Sequence, residues 1–392
     1  MLFLSAVRTP FGAFGGSLKE HSATDLAVYA SRAAIARSGI PADAVDAAFF
    51  GNVLQTSGDA CYYARHVALR AGCPIETPAL TVNRLCGSGF EAVVQGASAI
   101  RAGEADVCLV GGGESMSQAP FVARGIRFGL GLGANPPLID SLTEALRDAY
   151  AGCSMAETAE NLAARYGLTR ETVDEYALRS QRLAKYGWVS GAYADEIIPV
   201  PVRLPRSSAT EDFARDEHMR PESTPEGLAK LKPLFREHGT VTAGNASGIG
   251  DGAGALVMAS ESAVRRHKAT PLARLVSSAV VGVDPTIMGI GPVTAARKAL
   301  DRAGLTLDQM DLVEVNEAFA SQVVAVEREL GVPREKFNVH GGAIALSHPL
   351  AASGARISAH LIHSLRRGKM RYGLGAACIG GGQGIAVVIE AL

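Results

Sequence analysis

The strongest constraint on the fold is that part of this 392-residue chain occurs twice. Ala30-Ser-Arg-Ala-Ala-Ile-Ala-Arg-Ser-Gly-Ile-Pro-Ala-Asp-Ala-Val-Asp46 aligns without a gap on Ala295-Ala-Arg-Lys-Ala-Leu-Asp-Arg-Ala-Gly-Leu-Thr-Leu-Asp-Gln-Met-Asp311, with seven of seventeen positions identical. Each copy has apolar residues at helical spacing and closes on a glycine, the pattern of a helix with its C-terminal stop. Cys108-Leu-Val-Gly-Gly-Gly likewise resembles Ala377-Cys-Ile-Gly-Gly-Gly in composition and place. Duplication accounts for both matches. Two similar halves would meet face to face, and a site between them could draw a loop from each.

The first copy lies between apolar runs that read as strands, Leu2–Val7 before it and Val45–Val53 after it. Strand, helix, strand is the mark of a βαβ unit with a parallel sheet. From about Met116 to Thr240 the pattern changes to arginines, prolines and loops, with amphipathic helices over Ala156–Arg165 and Thr172–Tyr186 and a charged, irregular stretch over Glu211–Pro225. Strands return with Ala255–Met258 and Leu272–Val283. The expected organisation is an N-terminal half over 1–118, an inserted, ligand-facing segment over 119–240 and a C-terminal half over 241–392.

A chain of this length exceeds one simple core, and 47% hydrophobic with 20% charged residues is the composition of a soluble globular protein. The formal net charge of -1 offers nucleic acid or an acidic membrane no long-range attraction, so an anionic ligand must be held by local groups. Six cysteines show neither CxxC nor Cys/His ligand spacing, which points away from zinc and disulfides and towards reduced thiols in a cytoplasmic compartment. Met1–Pro10 lacks the features of a leader, no 18-residue uncharged apolar stretch follows, and Glu390-Ala-Leu392 is no recognisable address signal.

The residues that carry chemistry stand at turns after apolar runs. Cys86, within Asn83-Arg-Leu-Cys-Gly-Ser-Gly, falls between an extended run and a small-residue helix. Backbone N–H groups and the helix dipole favour an anion there, and a thiolate is one. His348, before Pro349 and the small-residue stretch Ala351–Leu365, stands at a similar helix entrance. A cysteine paired with a histidine is the activation used for acyl transfer. A protonated imidazole can also stabilise an oxyanion, as can Asn316 through its amide or a held water. Cys378 precedes glycines that let backbone N–H groups face a ligand.

Asn83-Arg-Leu-Cys-Gly-Ser-Gly, Asn316-Glu-Ala-Phe, Gly341-Gly-Ala-Ile-Ala-Leu-Ser-His-Pro and Cys378-Ile-Gly-Gly-Gly-Gln-Gly resemble, in order, the four active-site blocks of the thiolase family. The resemblance runs along nearly the whole chain. It implies an α/β fold with a duplicated α/β/α/β/α five-layer core, an inserted loop domain that binds coenzyme A, and acyl-CoA substrates. Coenzyme A would be a co-substrate, with no permanently bound cofactor and no metal, and the assembly a homodimer or homotetramer. By position, Cys86 would be the acylated nucleophile, His348 its activator, and Cys378 the acid/base at the substrate α-carbon or incoming coenzyme A. Asn316 with His348 would form one oxyanion hole, and the backbone of Cys86 and Gly380 the other. The stretch from Ala243 to Ser247 resembles the pantetheine loop; Met155, Phe235, Ala318 and Phe319 match positions lining the thioester tunnel, and Arg220 a matching basic position.

Three positions depart from the family's pattern: Ser347 and Ala351 replace usual glycines beside His348, and Ser154 replaces a frequent histidine. A serine at 347 is strained if its φ is positive. Rival readings are a ketoacyl-synthase-like condensing enzyme, against which the second cysteine argues, and a non-catalytic acyl-CoA or lipid binder, against which the full catalytic set argues.

Overall fold

The computed structural model describes residues 1–204, 207 and 209–392. Its N-terminal half runs β1 (Leu2–Arg8), α1 (Ala23–Ser38), β2 (Ala47–Gly51), α2 (Tyr63–Ala71), β3 (Ala79–Val82), α3 (Ser88–Ala102) and β4 (Val107–Ser115). An insertion carrying α4 (Met155–Arg165) and α5 (Arg170–Val189) follows, and β5 (Gly250–Ala259) closes the half. The C-terminal half runs β6 (Ala273–Gly282), α6 (Gly291–Ala303), β7 (Leu312–Val315), α7 (Ala320–Leu330), α8 (Ser353–Gly368), β8 (Tyr372–Ile379) and β9 (Gln383–Ala391).

Hydrogen-bonded order is β1-β5-β4-β2-β3 in the first half and β6-β9-β8-β7 in the second. The senses agree as well. β1–β5 and β5–β4 are antiparallel, as are β6–β9 and β9–β8, whereas β4–β2 and β8–β7 are parallel. Where β3 flanks β2 in parallel, a single parallel bridge between Val313 and Phe337 flanks β7. The two sheets touch at one corner, through Leu2↔Arg274 and Phe3↔Ala273.

The repeated sequence makes the same local structure twice. α1 starts on a capping box of Ser22 and Asp25, ends on Gly39 at φ 74°, and leads through a short turn to Asp46. α6 starts with Pro292 in its first turn, ends on Gly304 at φ 66°, and leads through a similar turn to Asp311. Asp46 Oδ2 accepts the N–H groups of Asp106 and Val107 at the entrance to β4; Asp311 Oδ2 accepts those of Arg371 and Tyr372 at the entrance to β8. The correspondence that matches Gly39 with Gly304 also matches Ser88 with Ser353, the first residues of α3 and α8.

α1 and α2 cover the outer face of the first sheet around Leu26, Phe50 and Val67, and α6 and α7 the outer face of the second around Val293, Val313 and Val323. Between the sheets lie α3 and α8, with Phe90, Val93, Ile357 and Leu361 in one continuous core. The result is the five-layer order expected.

Two expectations need correction. β5 pairs with β1 and β4, so residues 250–259, assigned above to the C-terminal half, complete the N-terminal sheet. An insertion separates them in sequence from the strands they join, and adjacency along the chain could not show it. The glycine triplets are also not equivalent: Gly111–Gly113 lie inside β4, whereas Gly380–Gly382 form the turn between β8 and β9.

α3 and α8 cross where neither can carry a side chain. A Cβ on Gly354 would stand 2.2 Å from the Phe90 backbone nitrogen, and one on Gly89 would stand 2.6 Å from the Ala351 oxygen. Gly354→Ala is therefore expected to destabilise the protein by about 1–3 kcal/mol through overpacking, read as a lower urea midpoint at unchanged slope. An unchanged midpoint would show that the helices separate without cost.

Candidate active site

Cys86 sits in the turn Leu85–Gly87 between β3 and α3. Neighbours in its sequence block hold that turn. Asn83 Oδ1 accepts the Leu85 N–H, Ser88 Oγ accepts the Arg84 N–H and donates to the Leu85 carbonyl, and Leu85 is held at φ 46°. Arg84 pairs with Glu91 at 2.7 Å and reaches Gln383 Oε1 at 2.9 Å, tying the nucleophile's turn to the β8–β9 hairpin of the other half.

That hairpin supplies the second thiol. Cys378 is buried near the end of β8, and Gly381 and Gly382, both at φ 79°, turn the chain back into β9. The Gly380 and Cys86 N–H groups favour the anionic form of the Cys86 sulfur. A Cβ on Gly380 would meet Met155 Sδ at 3.1 Å and Leu85 Cδ1 at 3.2 Å, so only glycine fits without displacing either.

Asn316, just after β7, reaches His348 through Nδ2···Nε2 at 3.3 Å, and both are buried. The other ring nitrogen, Nδ1, lies 2.5 Å from Ser353 Oγ. Ser353 donates its hydroxyl proton to the Pro349 carbonyl. It therefore accepts from Nδ1–H, and Nε2 is the bare nitrogen. Glu317 locks the loops that carry the pair: its carboxylate accepts from Tyr176, Ser180, Asn338 and the Ile344 N–H.

Burial decides the resting charges. It pushes the Cys86 thiol up to about 11, against the pull of the Gly380 and Cys86 N–H groups, and Glu114 adds to the rise. It lowers His348 to about 3, with the Arg356 charge acting in the same direction. Cys378 is also raised, first by burial and then by Cys86. The rise opposes the thiolate that the helix entrance and a histidine partner favour, with Cys86 itself half-buried in a cavity wall. Desolvation outweighs both, and His348 is hydrogen-bonded to Asn316 and Ser353 instead of to the sulfur. A neutral thiol and a neutral base are the forms suited to proton transfer during attack.

Ser347 has φ 80° and ψ 170°, a region that belongs to glycine, and its buried hydroxyl has no partner. Leu346 and Ser347 donate to the Gly342 and Ala343 carbonyls, and the His348 N–H bonds the Gly248 carbonyl at 2.8 Å, which together hold the conformation. Ala351 is accommodated without a positive φ, and its N–H donates to Glu114 at 3.1 Å.

A cavity of about 290 Å³ opens onto Cys86, with Met155, Gly380 and Leu350 in its wall. Ala318 and Phe319 pack with Cys378 and Met155. The Ser247 N–H bonds the Ala318 carbonyl at 3.0 Å, which brings the Ala243–Ser247 loop onto the site, with Ala243 exposed. Arg220 and Phe235 are exposed and stand outside the cavity wall. Ser154 caps α4 through the Glu157 N–H. Glu114, Glu317 and Ser353 escaped the sequence reading. The only signals were a glutamate ending a glycine-rich strand, the residue after Asn316, and a serine opening a helix.

Residues 1–262 match the family model "Thiolase, N-terminal domain" and residues 269–391 match "Thiolase, C-terminal domain". The chain belongs to the thiolase family. It is 55% identical to the human mitochondrial 3-ketoacyl-CoA thiolase, over 99% of this chain and 97% of that one. It is 45% identical to an acetyl-CoA acetyltransferase of Syntrophomonas wolfei, over 100% of this chain and 99% of that one. The solved human mitochondrial thiolase in complex with CoA is similar at a TM-score of 0.97 and 54% identity, covering 100% of this chain and 98% of that one. The cytoplasmic assignment is overturned by relatives of this thiolase: five mammalian proteins at 51–55% identity are named as mitochondrial. Cysteine spacing without a disulfide pattern does not separate one reducing compartment from another.

Two outcomes follow. With the Cys86 thiol near 11, its alkylation by iodoacetamide in the free protein rises roughly tenfold per pH unit between about pH 7 and 10, as the thiolate fraction does. A rate already at its plateau at pH 7, followed by peptide mapping, would show a resting thiolate. Ser347→Gly removes both the strain and the orphaned hydroxyl, and is expected to stabilise the protein by about 1–3 kcal/mol, read as a higher thermal midpoint; a lower one would show that the serine packs productively.

Proposed function

We propose that this thiolase cleaves 3-ketoacyl-CoA with coenzyme A to acetyl-CoA and a shortened acyl-CoA, or condenses acetyl-CoA in reverse, through an acyl-Cys86 intermediate. In cleavage, His348 Nε2 takes the Cys86 proton as the sulfur attacks the keto carbon. The oxygen of that carbon becomes an alkoxide facing the Cys86 and Gly380 N–H groups. The carbon–carbon bond then breaks, and its electron pair passes to the enolate of acetyl-CoA, whose oxygen is held by Asn316 and the now protonated His348. Cys378 delivers its proton to the α-carbon. Its thiolate next takes the proton of incoming coenzyme A, whose sulfur attacks the acyl group and expels Cys86. The Cys86 thiolate recovers its proton from His348.

The observation that supports this reading is the pairing of two thiols in one place: Gly380, two residues beyond Cys378, lines the same cavity as Cys86, and the Cys86 charge acts on Cys378. The first thiol is assigned the Cys86 and Gly380 N–H groups as its oxyanion hole, and the other is buried among Met288, Ala318 and Phe319, where a protonated acid is stable. Coenzyme A serves as co-substrate, and no permanently bound cofactor is required. Its pantetheine arm is assigned to Met155, Ala318, Phe319 and the Ala243–Ser247 loop, its nucleotide end to the inserted segment with Arg220 and Phe235.

The assembly is a homodimer or homotetramer in this reading. β3 is an unpaired sheet edge with Leu80 49% exposed, and the inserted segment presents Phe128, Leu130 and Leu138 to solvent, Phe128 at 93%. A bare edge strand and an apolar loop are surfaces that chains cover by association. Light scattering on purified protein is expected to give two or four times 40.7 kDa; a monomer at micromolar concentration would refute it.

Cys378→Ala should still accept acetyl from acetyl-CoA on Cys86, seen by intact mass, because that half-reaction needs only the nucleophile and its oxyanion hole. Turnover should fall by about 10²–10⁴-fold, the usual cost of losing a general acid/base, whereas Cys86→Ala should abolish both. Normal turnover in Cys378→Ala would make the second thiol structural and the reading wrong.

A further inference from the structure

A second cavity, of about 640 Å³, opens where the three parts of the chain meet. β1 contributes Leu4 and Ala6, the inserted segment contributes Asp195, and the last turns of α1 and α8 contribute Arg37, Arg366 and Arg367. It is remote from the catalytic groups: His363 in its wall lies ten residues along α8 from Ser353, about 15 Å at the helical rise. No group in its wall takes part in the proposed reaction.

Three guanidinium groups line this cavity with a single carboxylate side chain, in a chain whose formal net charge is -1. His363 adds no charge: its Nε2–H donates to the Ala6 carbonyl at 2.8 Å, and burial holds its pKa below the ordinary value. An arginine in a last turn complements the helix dipole, but that does not explain why arginines from two helices line one space. The arginines are also anchored. Arg37 Nη1 donates to the Asp195 carbonyl at 2.7 Å, Arg367 Nη2 to Asp195 Oδ2 at 2.8 Å, and Arg366 Nη1 to the Leu272 and Leu392 main-chain oxygens at 3.2 and 2.5 Å. Among the described residues each guanidinium uses one nitrogen in this way, so its other donors are oriented without being consumed.

Arg37 and Arg367 converge on one residue, Asp195, so a single anionic group beside it can meet both. A carboxylate has two oxygens and fills one guanidinium fork. A phosphate has three acceptor oxygens and can take both forks at once. The cavity is also much larger than a phosphate group and falls within the range of small-molecule sites, with Leu4, Ala6 and Leu272 as an apolar wall for the rest of a ligand. We propose that this cavity binds a phosphate monoester of nucleotide size, its phosphate held between Arg37 and Arg367 and its body against Leu4, Ala6 and Leu272.

The test is titration calorimetry of the full chain with AMP, adenosine and inorganic phosphate at physiological ionic strength. Saturating coenzyme A is present throughout, so that a nucleotide site serving that co-substrate is already filled. AMP should bind saturably at millimolar concentration or below, inorganic phosphate more weakly, and adenosine not at all. Arg37→Ala and Arg367→Ala should each weaken AMP binding by about tenfold or more, the usual cost of a lost hydrogen bond to a charged group. Asp195→Asn removes the carboxylate that competes for Arg367 and should tighten AMP binding severalfold. Thermal midpoints report whether each variant has kept its fold; if either arginine variant has lost it, Asp195→Asn decides. Absence of saturable AMP binding, adenosine binding as tight as that of AMP, or affinities within twofold of the unsubstituted protein in every folded variant would overturn the proposal.

Discussion

The site depends on two helices pressed backbone to backbone. α3 begins just beyond Cys86 and α8 just beyond His348, and they meet at Gly89 and Gly354 with no room for a Cβ on either. Because the contact is made by main chain, the two helix entrances are placed by rigid geometry and not by flexible side chains. Both sheets then pack against this central pair, and the loops leaving their strands, after β3, β7 and β8, deliver the remaining chemical groups to one place. Loosening the crossing would move the nucleophile relative to its base before it disturbed anything else.

Burial is the second governing condition. Around Cys86 and His348 it favours the uncharged form of each, so the pair exchanges a proton only when a substrate carbon is there to receive the sulfur's electrons. The surrounding hydrogen bonds do not create charge; they fix direction. Ser353 sets which ring nitrogen of His348 is bare, Asn316 faces that nitrogen, and Glu317 holds the loops that carry both.

Most of the architecture was legible in the sequence because duplication leaves a local signature: a helix stopped by glycine and an aspartate that bonds the next strand's entrance. The four motif blocks were legible for the same reason, since turns after strands need particular residues. What was hidden was long-range. β5 joins strands from which the insertion separates it, so no window of sequence contains its partners. Gly111–Gly113 and Gly380–Gly382 read alike, yet one triplet makes room for packing inside a strand and the other makes a turn. The pull against a thiolate at Cys86 was not legible, because a helix N-terminus is visible in sequence whereas desolvation around the sulfur is not. Ser347 was visible as a departure; its positive φ confirms the strain, and its orphaned hydroxyl could be seen only in three dimensions.

The correspondence that matches Ser88 with Ser353 places Ala351 opposite Cys86. The two entrances to the central helices have the same construction, but one ends in a nucleophile and the other in an alanine whose N–H is committed to Glu114. The duplicated framework thus has a near-twofold shape with an asymmetric occupant: in the proposed mechanism one half presents the group that is acylated, and the other presents the groups that move protons. Neither half is a smaller version of the whole, and a single chain can carry only one acyl group at a time however symmetrical its backbone.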